Sequence, residues 1–305
     1  MKSAIITGAG GFIGGALTEK LLSKGVHVTA VDIDKNKLSQ RFKHPNISFV
    51  EASFDDYPNL YNLIKDSADV FYHFAWQGVF GETFKDYELQ LNNAKYSCIA
   101  LETAIKLGCS KFVFSATNNE MEIKKYLLSN EEIKPRYTCI YSTSKLAAEM
   151  ICKTLACQKG IQYSAGMIAM AYGENNRSQM LPNVVISQLL NKQSPKLVKG
   201  NNSYDMIYID DIADAFYCIG EFGKNMKSYY VGHRQLRSFR EIITEIRDIL
   251  APDVELRFGE YPDNLDMDYS LVDLDALYND TGFECKADFR DSILKTAEWI
   301  KANAE

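Results

Sequence analysis

Short runs rich in β-branched and aromatic residues alternate along the chain with longer segments whose apolar positions recur every three to four residues. Residues 4–7, 26–32, 47–51, 70–75, 111–115 and 163–170 read as strands, apolar nearly throughout, as strands covered on both faces are. Between them, helical periodicity covers residues 12–24, 58–66, 86–107 and 138–159. This alternation predicts an α/β fold of Rossmann type, a doubly wound parallel sheet closed by right-handed crossovers. Beyond Gly173 the pattern changes. A loop carrying Asn175, Asn176 and Arg177 leads into an apolar helical segment at 181–190 and a Lys- and Asn-rich stretch at 191–203. Ser238 and Glu241 form a capping box that opens a helix with Ile242, Ile246 and Ile249 on one face. The expected organisation is a Rossmann domain of residues 1–173 plus about 204–232. A smaller, discontinuous C-terminal substrate lobe would take about 174–203 and 233–305.

Thr7-Gly8-Ala9-Gly10-Gly11-Phe12-Ile13-Gly14 joins the first strand to the first helix. In that setting Gly8 permits a tight turn, Gly11 lets a pyrophosphate approach the backbone, and Gly14 lets helix pack on strand. Gly8, Gly10, Gly11, Phe12, Ile13 and Gly14 are therefore candidate dinucleotide contacts. Asp32 closes the second strand, where a carboxylate accepts hydrogen bonds from ribose hydroxyls and repels a 2′-phosphate. Phe12 and Ile33 are apolar where an arginine would hold that phosphate, and Lys35 and Lys37 are the cations near by. NAD(H) is expected in preference to NADP(H).

Tyr141-Ser-Thr-Ser-Lys145 places a phenol and an ammonium one turn apart on the 138–159 helix. A free tyrosine titrates near pH ~10, and a lysine cation beside it favours the phenolate. The pair could then exchange a proton with a carbinol or carbonyl oxygen, although the same spacing also occurs on solvated helix faces. Thr117, at the end of the 111–115 strand, could hold the same oxygen.

Together, Thr7–Gly14, Asp32, His73-Phe-Ala-Trp76, Asn93, Thr117, Tyr141–Lys145 and Tyr208-Ile-Asp-Asp-Ile-Ala213 resemble the extended short-chain dehydrogenase/reductases, in their nucleotide-sugar epimerase/dehydratase branch. The resemblance implies Thr117, Tyr141 and Lys145 as catalytic, with Tyr141 and Lys145 also meeting the cofactor. It implies Phe74, Ala75 and Asn93 around the cofactor, and Ser53 and Phe54 at the adenine end, where relatives often carry an acid. It implies substrate contacts from Thr117, Asn118, Tyr172 and Arg177. His73 reads as an interior histidine. Met167, Met170 and Tyr204 stand where relatives carry Arg or Asn, so the diphosphate clamp is expected from Arg177, with Arg257 next. The resemblance further implies a homodimer built on the 86–107 and 138–159 helices.

Composition narrows the partners. A net charge of −6 over 305 residues gives nucleic acid no basic face. Seven scattered cysteines without a CxxC fit reduced thiols in a cytoplasmic protein, with no metal site, better than a disulfide frame. No apolar run reaches the ~20 residues of a membrane span. The expected function is oxidoreduction of a nucleotide-linked sugar as a 4-ketoreductase, with a 4-epimerase on tightly bound NAD as the alternative. A non-catalytic NAD-sensing regulator is the reading from another class. A 4,6-dehydratase would need Asp and Glu after Thr117, where Asn118 and Asn119 stand and Glu120 is displaced by one position.

Overall fold

The computed structural model describes residues 1–130, 134–136, 138–262 and 267–303. Seven strands pair in parallel: β1 (Ser3–Thr7), β2 (His27–Asp32), β3 (Ile47–Glu51), β4 (Val70–His73), β5 (Lys111–Thr117), β6 (Gln162–Ile168) and, after further elements, β11 (Lys227–Val231). Their order is β3-β2-β1-β4-β5-β6-β11, so the winding reverses between β1 and β4. Short pairs complete the strands: β7 (Met170–Tyr172) with β10 (Met206–Tyr208), β8 (Lys196–Leu197) with β13 (Arg257–Phe258), and β9 (Ser203–Tyr204) with β12 (Arg237–Ser238).

The helices are α1 (Phe12–Ser23), α2 (Lys35–Arg41), α3 (Leu60–Leu63), α4 (Tyr87–Lys106), α5 (Glu120–Leu128) and α6 (Cys139–Lys159). There follow α7 (Leu181–Leu190), α8 (Ile209–Phe222), α9 (Phe239–Leu250), α10 (Ala276–Thr281) and α11 (Phe289–Ala302). The pair α4/α6 packs on β4, β5 and β6, the pair α1/α8 flanks the sheet as well, and α7, α9 and α11 pack on one another. With helices over it, the sheet is apolar on both faces: Ile5, Ile6, Val28, Phe71, Phe112 and Phe114 are fully buried or nearly so. Lys111 of β5 is buried as well, and its ammonium donates to the carbonyls of Ile219, Gly220 and Gly223 at the end of α8.

Three expected elements end differently, each for a local reason. The 58–66 helix is a 3₁₀ turn, Phe54–Asn59, running into the single turn of α3, because Pro58 has no N–H to donate. The strand expected over 163–170 breaks at Ala169, whose N–H donates to Val231 while that of Met170 donates to Asp205, so the chain changes partners there. The 70–75 strand stops at His73, and Phe74 and Ala75 turn against the glycine loop. The Ser238–Glu241 capping box forms as expected and opens α9.

Candidate active site

At the reversal point the carboxyl ends of β1 and β4 stand side by side, the place where open α/β sheets bind ligands. Gly8 has φ +72°, and a Cβ there would lie 2.8 Å from the Ala75 nitrogen. A Cβ on Gly14 would run into the Gly8 carbonyl. The loop thus closes on itself, with the Gly11 N–H donating to Gly8 O at 3.1 Å. No side chain caps the first turn of α1, at Phe12 and Ile13, so its N–H groups are free for phosphate oxygens. Asp32 accepts from the Gly10 N–H at 2.8 Å and from the Ile33 N–H at 2.8 Å. It therefore braces the glycine loop, and each carboxylate oxygen keeps a second lone pair for a ribose hydroxyl.

The cation at this loop is one the sequence reading missed. Lys35 and Lys37 are exposed, whereas Arg41, the last residue of α2, reaches back over α1. Its guanidinium lies 3.3 Å from Gly11 O and pairs with Glu19 at 3.0 Å, and it fills the space a Cβ on Gly15 would need. Ser53 and Phe54 are engaged within the protein. Ser53 donates from N and Oγ to Asp56, and Phe54 stacks on Tyr96 with ring centroids 4.8 Å from Tyr57 and 4.7 Å from Tyr96.

Thr117 ends β5, and Tyr141 and Lys145 lie one turn apart on α6. The Tyr141 hydroxyl faces that of Thr117. Its ring meets Phe84 edge-on at 4.9 Å and Trp76 at 6.1 Å. Burial raises the Tyr141 pKa, opposed by the Thr117 hydroxyl and reinforced by the nearby Glu120 carboxyl. The expected depression by Lys145 is not what the geometry delivers. The Lys145 ammonium donates to Ser115 O at 2.9 Å and sits 3.9 Å over the Trp76 ring and 5.1 Å from that of Phe114. Burial lowers its pKa to about 7, against the pull of Glu120 and Glu149. Tyr141 is thus held as a neutral phenol beside a lysine that can gain or lose a proton near neutrality.

The loop after β4 sets this geometry. Gln90 accepts from Trp76 Nε1 at 2.8 Å and donates to Gly78 O and Thr83 O, fixing the indole under Lys145. Asn93, expected at the cofactor, has both ends of its amide on the backbone of Gln77, at 2.9 and 2.8 Å. It shapes the site through that loop. His73 is buried with both ring nitrogens engaged, by Thr7 at 2.7 Å and Ser97 at 3.1 Å. Burial first, and then the Lys145 charge, hold it neutral with a pKa of about 3.

The expected substrate contacts divide. Thr117 and Asn118 lie together at the end of β5, with Asn118 buried. Tyr172 does not join them: it is buried, and its hydroxyl is bonded to Ser292 of α11 at 2.7 Å. It ties α11 to β7, because the turn to β7 points the ring inward against Tyr208 and Phe289. Arg177 is exposed. Arg257 is anchored to Ser194 O at 3.0 Å and lies 3.5 Å from Glu260. A cleft of about 160 Å³ beside α1 is lined by Phe12, Arg41, Glu174, Asp210 and Lys295 among others. A cavity of about 560 Å³, lined by Tyr230, His233, Arg234, Asp275, Tyr278 and Cys285 among others, shares no residue with the Thr117–Tyr141–Lys145 group.

Residues 4–232 match the model of the NAD dependent epimerase/dehydratase family. The chain belongs to that family. Among curated members it is 26% identical, over 100% of its own length, to the Arabidopsis thaliana trifunctional UDP-glucose 4,6-dehydratase/UDP-4-keto-6-deoxy-D-glucose 3,5-epimerase/UDP-4-keto-L-rhamnose-reductase, and it spans 48% of that protein. The chain therefore covers about half the length of the plant proteins it matches. It is 22% identical to the Escherichia coli dTDP-4-dehydro-6-deoxyglucose reductase, with 98% of each chain covered. The crystal structure of the Thermotoga maritima UDP-glucose 4-epimerase with UDP-glucose shares the fold, at TM-score 0.79 and 22% identity, covering 99% of this chain and 100% of that one. For this member of the epimerase/dehydratase family, the glycine loop and the Thr117–Tyr141–Lys145 group are the candidate cofactor and reaction sites.

Proposed function

We propose that the chain reduces a nucleotide-linked 4-ketosugar with NADH, Tyr141 acting as the proton donor. The observation that carries this reading is the setting of Tyr141, a buried phenol beside Thr117 whose burial favours the protonated form. Reduction of a carbonyl needs an acid at its oxygen, whereas oxidation of a carbinol needs a base there. The glycine loop fits a dinucleotide, since side chains at Gly8 and Gly14 would close the cradle. The dihydronicotinamide bound in it supplies a hydride to the carbonyl carbon. Thr117 holds the carbonyl oxygen, Tyr141 gives that oxygen its phenolic proton to complete the alcohol, and Lys145 returns a proton to Tyr141. NADH rather than NADPH follows from Asp32, whose carboxylate repels a 2′-phosphate. The substrate side is assigned to about 174–203 and 233–305, the region of the mutually packed α7, α9 and α11.

The E. coli reductase and the reductase activity for which the A. thaliana protein is named support this direction. The second reading is a 4-epimerase, which would use the same three residues in both directions, and the fold of the T. maritima epimerase favours it. Dehydration fits less well, because Glu120 is turned inward and accepts from the Thr117 N–H at 3.1 Å. The test is a screen of nucleotide-linked 4-ketosugars and nucleotide sugars, reading NADH absorbance and product configuration. Net NADH consumption on a 4-ketosugar supports the reductase. Interconversion of 4-epimers without net NADH change identifies the epimerase, and no turnover on any of them leaves an NAD-sensing regulator.

A further inference from the structure

Behind the reaction site two carboxyl groups are packed against each other. Glu120, in the first turn of α5, is fully buried, and Glu149, one turn beyond Lys145 on α6, is 5% exposed. They lie within hydrogen-bonding reach of one another. One oxygen of each is satisfied: Glu120 Oε1 accepts from the Thr117 N–H at 3.1 Å, and Glu149 Oε1 from the Ser228 hydroxyl. The other oxygen of each, Oε2, is buried and meets no donor. Two ionised carboxylates so placed would repel each other and leave two desolvated lone-pair sites unmet. A single proton between them removes both faults.

The charge balance leads to the same count. Lys145 is buried and feels both carboxyl groups. Among the described residues, the Tyr141 phenol, Tyr163 on β6, the thiol of Cys152 on α6 and Lys124 on α5 also face the pair, and Cys98 on α4 meets Cys152 behind it. Lys124 is half-exposed, and burial acts against ionisation of Tyr141, Tyr163 and Cys152. One ammonium and one shared negative charge make a neutral buried cluster, and two negative charges would not.

We propose that Glu120 and Glu149 share one proton and act as a single negative counter-charge that favours the ammonium form of Lys145, which makes them positioning residues for the Tyr141–Lys145 pair. Its catalytic meaning rests on the reading of that pair given above, but the counter-charge itself does not. The neutral, protonated member of the pair also explains how Glu120 tolerates complete burial, since burial and the Glu149 charge both push its carboxyl well above the usual range.

The test is carboxyl NMR of the full-length protein carrying [5-¹³C]glutamate, followed by a lysine titration with ¹³Cε label. At pH 7.5 the wild type should show a protonated glutamate carboxyl, and that signal should vanish in Glu120→Gln and in Glu149→Gln. Absence of any protonated glutamate signal in the wild type overturns the proposal without recourse to a variant. The same holds for a signal that survives both substitutions. Each single glutamine variant keeps one negative charge and should leave the Lys145 titration near its wild-type position. The double variant removes that charge and should lower the Lys145 pKa by about one unit or more. A Lys145 resonance that titrates unchanged in the double variant overturns the counter-charge. These measurements need no turnover, so a failure of the reductase reading and a failure of this proposal are separable.

Discussion

A phenol enclosed by Trp76 and Phe84, its pKa raised by burial, keeps its proton at neutral pH. Tyr141→Phe preserves that packing and removes the phenolic proton on which the proposed reduction depends. A positioned acid is worth about 10²–10⁴ in rate, so kcat should fall by that factor. NADH titration by fluorescence should be nearly unchanged, because the proposed cofactor cradle rests on Gly8–Gly14 and Asp32. Turnover close to wild type would remove Tyr141 from the chemistry. Asp32 carries the second residue-scale prediction. Wild-type protein should bind NADH more tightly than NADPH, and Asp32→Ala should narrow the gap by weakening NADH and relieving repulsion of the 2′-phosphate. A wild-type preference for NADPH of about tenfold, roughly 1.4 kcal/mol, would contradict the assignment. Thr117, Tyr141, Lys145 and Asp32 are legible in the sequence because each sits at a fixed offset from a strand end or along one helix. Arg41, Trp76 and the Glu120–Glu149 pair are not. Their roles depend on which helix a long side chain crosses, and no spacing along the chain records that.

Elements with strong local signals form where the sequence puts them. Ser238 at the N-cap of α9 accepts from the Glu241 N–H at 3.2 Å, while Glu241 accepts from the Ser238 N–H at 2.8 Å. That reciprocal pair needs only four consecutive residues, which is why it can be read without a structure. Ser238→Ala should destabilise the protein by about 1 kcal/mol, seen as a lowered urea midpoint at unchanged slope. An unmoved midpoint would mean that packing of Phe239, Ile242, Ile243 and Ile246 alone decides the start of α9. The long helices α4 and α6 are equally plain, with periodic apolar positions over many turns. What periodicity does not specify is a partner. The strand expected over 163–170 splits because the next hydrogen-bond acceptors come from Val231 and Asp205, far along the chain. Tyr172 is misread for the same reason: its partner, Ser292, lies 120 residues away.

At the scale of the molecule, the sheet leaves two neighbouring long helices incompletely covered. α4 and α6 pack on each other and on the sheet, yet Leu91 is 57% exposed on α4, and Met150 and Ile151 are 54% and 47% exposed on α6. Large apolar side chains scattered singly over a surface need no explanation, but exposed ones on both members of one packed helix pair suit a face that a partner covers. A second copy of the same chain can cover it through a two-fold axis, since an isologous contact sets each patch against its own equivalent. The chain should therefore be a homodimer that buries this helix pair. Light scattering at micromolar concentration should give twice the 34.5 kDa chain mass. Leu91→Glu combined with Ile151→Glu should return the single-chain mass while leaving the far-ultraviolet circular dichroism unchanged, because both positions are exposed within one chain. A single-chain mass for the wild type would end the dimer reading. A double variant that stays dimeric would place the interface on another face.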